Sequence, residues 1–135
     1  MLTQQQIILI KKSWRNFSSI DPVVIGDVFY SKLFLDHPQV KAMFQIPKDE
    51  QSKKLLNMLN IIVGRLDKWE KLDEEVKKLG QRHAQYGVKP HHYKAVGQAL
   101  LWTLQQGLGI EWIPELKVAW ETCLEELAKA MLQAA

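Results

Sequence analysis

Residues 72–87, with the sequence LDEEVKKLGQRHAQYG, carry the pattern that decides the fold. Side chains suited to burial recur in this stretch at intervals of three and four residues, which is the spacing of one face of an α-helix. That face contains Leu72, Val76, Leu79, His83 and Tyr86. Gly87 follows, and glycine is common just after the end of a helix. The stretch therefore predicts an amphipathic helix whose buried face carries a histidine.

The helical period continues on both sides of this stretch, and no segment alternates between apolar and polar residues as a half-buried strand would. Thr3 and Asp21 can cap the first two helices, and Asp36 can cap a short turn. Another short turn is expected around Trp69. Four prolines stand at first-turn positions, where a missing N–H is tolerated, namely Pro22, Pro38, Pro90 and Pro114. The sequence predicts an all-α fold with six main helices and short turns.

Composition narrows the class of protein further. The chain has 135 residues, of which 47% are hydrophobic and 24% charged, and these values fit one globular domain over residues 1–135. The single cysteine, Cys123, permits no internal disulfide, so we expect a reducing, cytoplasmic location. No apolar run approaches roughly 18 residues, and no secretion signal is recognisable. The net charge of +3 arises from interspersed lysines and acids, so we expect neither nucleic acid nor a membrane as a partner.

Three polar residues interrupt otherwise apolar helix faces, and each has a structural and a functional explanation. A buried imidazole at position 83 must be hydrogen-bonded or bind a metal. Tyr30 can be a core tyrosine, or it can direct its hydroxyl towards a ligand. Gln51 can lie in an exposed first turn, or its amide can point into a pocket. The pattern of residues alone leaves these alternatives open.

Other common sites are not supported by the spacing of their residues. His91 and His92 are adjacent, so they do not share a helix face as two zinc ligands would. Cys123 has no second cysteine with which to form a metal or redox pair. No glycine-rich phosphate loop is present. A metal at His83 would therefore need its other ligands from a separate group.

Five motifs occur in order along essentially the whole chain. They are Phe29-Tyr30-Ser31-Lys32-Leu33-Phe34, then Asp36-His37-Pro38 leading to Met43-Phe44, Gln51 followed by Leu55, Lys77-Lys78-Leu79-Gly80-Gln81-Arg82-His83, and Gly87-Val88 with His92-Tyr93-Lys94-Ala95-Val96-Gly97. Together they resemble the globin family, and in particular single-domain bacterial haemoglobins and the haem domain of flavohaemoglobins. The resemblance implies a globin fold around a pocket for haem b, which is iron protoporphyrin IX.

The resemblance also implies roles for individual residues. His83 matches the proximal histidine that binds the haem iron. The distal positions over the open iron site match Tyr30, Gln51 and Leu55. Other contacts to the cofactor are expected from Phe44, which would pack flat on the porphyrin, from Val88 and Tyr93, and from Lys54 and Arg82, which could reach the propionates. Lys54 can instead be a solvated lysine or a sixth ligand of the iron. Small residues at Gly26 and Ser52 would allow two helices to cross closely.

The implied function is reversible binding of O2, and also of NO and CO, at a five-coordinate iron. Donors at Tyr30 and Gln51 would hold O2 tightly and release it slowly. The alternative is an NO dioxygenase, which would need a separate reductase, because we expect no reductase domain in this chain. A glutamate that supports redox chemistry in flavohaemoglobins falls at about Ala135 and is absent. A third possibility is a helical interaction domain without haem. The same distal residues would serve binding and catalysis, but we favour a binding protein, because catalysis would need a separate redox partner.

Overall fold

Capping side chains and first-turn prolines begin most of the helices. The Thr3 hydroxyl accepts a hydrogen bond from the backbone N–H of Gln6 at 3.1 Å, and the Gln6 amide oxygen accepts one from the N–H of Thr3 at 2.9 Å. This reciprocal pair satisfies two N–H groups that the first helical turn leaves free. The Asp21 carboxylate accepts from the N–H of Val23 at 2.9 Å. Helices also begin at Pro22, Pro38, Pro90 and Pro114, as predicted.

The computed structural model describes all 135 residues and contains helices but no strands. The α-helices are α1 (Gln4–Phe17), α2 (Pro22–Asp36), α3 (Lys48–Gly64), α4 (Trp69–Gln85), α5 (Pro90–Leu108) and α6 (Pro114–Ala134). Two short 3-10 helices, Pro38–Met43 and Gly109–Glu111, follow α2 and α5. The prediction of an all-α fold with six main helices is confirmed. None of these helices is both long and apolar enough to cross a membrane.

Helix α2 packs on both α3 and α5, and α6 packs against α1, α4 and α5. The buried side chains fall into two clusters, a larger one of 20 residues and a smaller one of six. The smaller cluster consists of Phe29, Tyr30, Leu33, Val40, Ala95 and Ala99. The half-buried side chains of Leu55 and Leu100 contact both clusters. The core is therefore divided, and residues of α3 and α5 lie at the boundary.

Two glycines allow helices to approach closely beside this boundary. A Cβ atom at Gly26 of α2 would overlap the side chain of Ser52 on α3, so this contact requires the small residues that the sequence provides. A Cβ atom at Gly80 of α4 would lie 2.7 Å from the Cα of Met131 on α6. The first contact holds α2 against α3 one turn before Tyr30. The second holds α4 against α6 one turn before His83.

The contact at Gly80 predicts that Gly80→Ala destabilises the protein. An added methyl group would meet backbone atoms of Met131, which cannot rotate away, so one of the two helices must shift. We expect the free energy of unfolding to fall by about 2–3 kcal/mol, because overpacking outweighs the better helix propensity of alanine. Denaturant unfolding measures the change. The control is Gly97→Ala, where nothing lies within 4 Å, and where unchanged or slightly increased stability is expected.

Three local expectations are wrong. Trp69 does not lie in a separate turn but is the first residue of α4, where its half-buried ring packs on the larger cluster. Asp36 is the last residue of α2, and its carboxylate pairs with Lys32 at 3.1 Å instead of capping the next turn. Tyr86 is 71% exposed. It follows the last residue of α4, so the helical period no longer determines the direction of its side chain.

Candidate functional site

His83 lies near the end of α4, and one of its ring nitrogens is held by the helix itself. Its Nδ1 atom lies 2.8 Å from the carbonyl oxygen of Leu79. A carbonyl oxygen can only accept a hydrogen bond, so Nδ1 must carry the proton and donate it. The neutral ring in this tautomer keeps a lone pair on Nε2, and this is the arrangement that metal-binding histidines show. The half-buried side chain is thus prepared to bind a metal through Nε2.

The charge state of His83 suits the same role. Its pKa is lowered chiefly by burial, and the positive charge of Arg82 lowers it further. The hydrogen bond to the Leu79 carbonyl acts in the opposite direction but does not reverse the shift. A lowered pKa keeps the imidazole neutral at pH 7, and only the neutral ring can bind a metal. The hydrogen-bond partner of Nδ1 is a neutral carbonyl, and His83 takes part in none of the six ion pairs of the structure.

The turn after α4 places Val88 next to His83. Gly87 adopts a φ of +80°, a left-handed conformation that glycine reaches without strain. The N–H of Val88 donates to the carbonyl of His83 at 3.0 Å, and the N–H of Gly87 donates to that of Ala84 at 3.0 Å. This pair of bonds is a Schellman motif, which ends a helix and reverses the chain. Half-buried Val88 therefore lies directly beyond the histidine.

Tyr93, from the first turns of α5, covers the other side of the histidine. Its ring is stacked on that of His83, with 6.0 Å between the centroids and 26° between the planes. The tyrosine is half-buried, and this burial raises the pKa of its hydroxyl. The stacked ring restricts how the imidazole can tilt. The structure thus brings together His83, Val88 and Tyr93, as the resemblance implies.

Tyr30 of α2 is 2% exposed and lies in a group of aromatic rings. Its ring centroid lies 5.3 Å from that of Phe44, edge to face, and 5.7 Å from that of Phe34. Burial raises the pKa of the Tyr30 hydroxyl to about 12, and the Gln51 side chain, which approaches from α3, partly offsets this effect. The structure thus brings Tyr30, Phe44 and Gln51 together.

The Tyr30 hydroxyl is buried beside the half-buried side chain of Gln51, whose hydrogen bond to it partly offsets the rise in its pKa. No fully buried polar side-chain atom of the structure lacks a partner. Two groups that can donate hydrogen bonds are available there.

Burial of Tyr30 also predicts how stability depends on pH. The hydroxyl ionises at about 10 in the unfolded chain and at about 12 in the folded protein, so stability present below pH 10 is lost as the pH rises. We expect about 1 kcal/mol of this loss by pH 11. Urea unfolding at pH 9 and pH 11 should show a smaller loss for Tyr30→Phe than for the wild type. The thiol of Cys123, with its pKa raised to about 12 by burial, contributes equally in both proteins and cancels.

Half-buried apolar residues of α3, α4 and α5, together with Phe44, pack against one or both of the core clusters. Leu55 and Leu100 contact both clusters, Phe44 and Val96 border the smaller one, and Leu79 and Tyr93 border the larger one. Leu79, Val96 and Leu100 were not among the predicted site residues. Leu79 could have been inferred, because the carbonyl four residues before a helical histidine is within its reach.

Lys54 and Arg82 are exposed, and neither takes part in an ion pair. Arg82 acts on the site only through its charge, which lowers the pKa of His83. The structure does not bring Lys54 and Arg82 into contact with the other site residues. Their extended side chains remain free to pair with anionic groups at the rim.

The donor set fits a flat apolar cofactor that brings its own metal ligands. No group of three or more histidine, cysteine or acidic side chains could hold a metal ion unaided. His83 offers one nitrogen, and its surroundings are mostly aromatic and aliphatic. An iron porphyrin supplies four ligands and needs one axial nitrogen. The residues present therefore fit haem.

Comparisons with known proteins agree with this description. The family model for globins matches residues 27–131. Leghemoglobin 49 of Vicia faba is 32% identical, and the match covers 98% of this chain and 97% of that protein. The flavohemoprotein of Bacillus subtilis is 27% identical over 98% of this chain, which spans about a third (34%) of that protein's length. A solved bacterial globin from Campylobacter jejuni superposes with a TM-score of 0.84, at 27% identity and 98% and 95% coverage.

Three findings point to the same family. The globin family model matches most of the chain, a leghemoglobin aligns with nearly all of it, and a solved bacterial globin has the same arrangement of helices. The chain belongs to the globin family, whose members carry haem.

Proposed function

We propose that residues 1–135 form a single haem-binding domain that takes up O2 reversibly and with high affinity at haem b. One observation carries this proposal. The metal-binding nitrogen of His83 lies beside residues of the larger apolar cluster, and the buried hydroxyl of Tyr30, next to Gln51, belongs to the smaller cluster, so we place the haem cleft between the two clusters. Such a combination suits a small ligand that accepts a hydrogen bond while it binds iron.

When haem is bound, it supplies an iron atom with one open position for O2. His83 would hold this iron through Nε2, and Leu79 and Tyr93 restrict the orientation of the imidazole. Phe44 and Val88 would contact the porphyrin, and Lys54 and Arg82 could reach its propionates. Because the partner of His83 is a carbonyl and not a carboxylate, the ring stays close to neutral, and we expect no strong peroxidase activity.

The Tyr30 hydroxyl and the Gln51 amide donate hydrogen bonds towards O2 held in the cleft. Each donor contributes about 1–3 kcal/mol, because the ligand gains negative charge and the site is shielded from water. Two donors together slow the release of O2 by roughly 10²–10⁴-fold. Such slow release suits storage, scavenging or sensing better than delivery of O2.

Apolar side chains would keep water away from the iron. Phe29 is buried in the same cluster as Tyr30, half-buried Phe34 and Leu55 pack against that cluster, and half-buried Val88 lies next to His83. Exclusion of water and protons slows oxidation of the iron. CO carries less charge than O2 when bound, so the two donors stabilise it less.

A titration with haem tests the first step of this proposal. We expect a Soret band that reaches its maximum at one haem per chain, and a ferrous form that binds O2 and releases it slowly in stopped-flow measurements. Gln51→Leu should raise the O2 dissociation rate by about 5–50-fold, since one donor is lost. A chain without a Soret band after addition of haem would instead be a helical interaction domain. An unchanged O2 dissociation rate in Gln51→Leu would show that Gln51 does not donate a hydrogen bond to O2.

A second candidate function is the oxidation of NO by O2 held at the same site, with a separate reductase. The match of 98% of this chain to part of a flavohemoprotein favours it. The same donors at Tyr30 and Gln51 would serve both functions. NO consumption over many turnovers, measured with and without an added reductase and NADH, separates them. Turnover that continues only with the reductase supports the enzyme, whereas a single turnover supports the binding protein.

A further inference from the structure

Residues 76–110 contain no aspartate or glutamate, although the chain has fifteen acidic residues. The same segment contains three of the four histidines and five basic residues, namely Lys77, Lys78, Arg82, Lys89 and Lys94. The rest of the chain has thirteen basic residues against fifteen acids, so this segment alone makes the net charge positive. Lysines and acids are interspersed elsewhere, but here the charge has one sign.

Most of this charge is unpaired at the surface. Lys77 pairs with Asp73 at 3.0 Å, but the other four basic residues take part in none of the six ion pairs of the structure. These four are all exposed and are called the basic face below: Lys78, Arg82, Lys89 and Lys94.

The basic face surrounds the end of α4 that carries His83. Lys78 and Arg82 are one helical turn apart on α4, so they lie on the same side of the helix. The stacked rings of His83 and Tyr93, with centroids 6.0 Å apart, bring the start of α5 and its Lys94 to this end of α4. Between the two helices lies Tyr86, which is 71% exposed. Exposed aromatic residues within a charged surface are common anchors in protein interfaces.

We infer that the basic face docks an acidic flavoprotein that reduces the haem by one electron. This inference rests on the proposed haem binding, since ferric iron must become ferrous before O2 can bind. The reduced flavin loses one electron and the iron gains it, and no covalent bond is made or broken. A surface of one charge sign steers an oppositely charged protein and orients it, and transient redox contacts are small, below about 1,200 Å².

The arrangement favours a protein partner over nucleic acid or membrane. The four cations of the basic face, three on two helices and Lys89 in the turn between them, are fewer than the roughly six to ten phosphate contacts of a nucleic-acid site. The position of the face beside the iron-binding histidine gives an electron donor a short path, and this advantage has no counterpart for DNA or lipid.

Binding of oxidised flavodoxin, a small acidic flavoprotein, to the haem-loaded chain tests the inference. Lys78→Gln/Lys94→Gln removes two charges from the basic face, and Lys12→Gln/Lys117→Gln removes two exposed charges from α1 and α6 as a matched control. At about 20 mM salt we expect the dissociation constant to rise about 5–20-fold for the first variant and less than about twofold for the control. Tyr86→Ser should weaken binding about 3–10-fold without changing its salt dependence.

Every outcome of this binding experiment either supports or overturns the docking inference. Equal losses in the two charge variants, or no binding of flavodoxin to the wild type, would overturn the inference. A DNA duplex or phosphatidylserine vesicles could instead bind more tightly than flavodoxin. If that binding is lost in Lys78→Gln/Lys94→Gln, the basic face belongs to that other class of partner, and the inference is overturned. A normal Soret band in these samples shows that haem binding holds even where docking fails, and an absent band refutes the proposed function instead.

Discussion

Replacing His83 by alanine is expected to abolish stable retention of haem. The variant loses the one nitrogen that the cleft offers to iron, and no other histidine, cysteine or acidic cluster can replace it. After addition of haem and gel filtration, we expect at least about a tenfold smaller Soret absorbance per chain than in the wild type, because loss of one coordinate bond exceeds 1.4 kcal/mol.

The control for this experiment is His91→Ala, which removes an exposed histidine from the same part of the chain and should leave the spectrum unchanged. Far-UV circular dichroism verifies that both variants are folded. Added imidazole should restore part of the Soret band in the His83 variant by occupying the vacated position. A variant at position 83 that keeps the wild-type spectrum in its ferric, ferrous and O2-bound forms contradicts the assignment of the ligand.

The second large effect is expected for Tyr30→Phe, which should release O2 about 10–100-fold faster than the wild type. The substitution removes only the hydroxyl, which lies beside Gln51, and leaves the aromatic packing with Phe34 and Phe44 in place. One hydrogen bond to a ligand with partial negative charge is worth about 1–3 kcal/mol, which gives this range of rates. Stopped-flow displacement of O2 by CO measures the rate.

The matched control is Tyr86→Phe, which removes a hydroxyl from an exposed ring and should leave the rate unchanged. The release of CO should change much less than the release of O2 in Tyr30→Phe, because CO is a poorer acceptor. Equal acceleration for both ligands would point to a wider path out of the cleft and not to a lost hydrogen bond. An unaltered O2 rate would exclude Tyr30 from ligand binding.

The fold was predictable where local chemistry determines it. Thr3 with Gln6 and Asp21 with Val23 form the expected caps, and four prolines begin helices because their missing N–H is harmless there. Prediction from the sequence is wrong where a helix end has neither a capping side chain nor a first-turn proline. Lys68 precedes α4 without a side-chain cap, so the start at Trp69 depends on packing of its ring against the core.

The site was predictable in part. The hydrogen bond between His83 and the Leu79 carbonyl follows from helix geometry alone, because four residues separate them. The meeting of Tyr30 with Phe44, and of His83 with Tyr93, depends on how separate helices pack, and no local pattern determines this. The resemblance to globins assigned all four residues to one cofactor pocket without predicting these contacts. It could not supply Leu100, whose place between the two core clusters emerges only from the assembled helices.

The contact between Gly80 and the backbone of Met131 has a practical consequence for engineering this protein. This contact holds α4 against the last turns of α6 one turn before His83. Truncating α6 after residue 130, or fusing a rigid partner immediately after residue 134, would disturb this helix–helix contact. A flexible spacer after residue 134 is the better design, because it preserves the contact between Gly80 and Met131 and therefore the position of the His83 side chain.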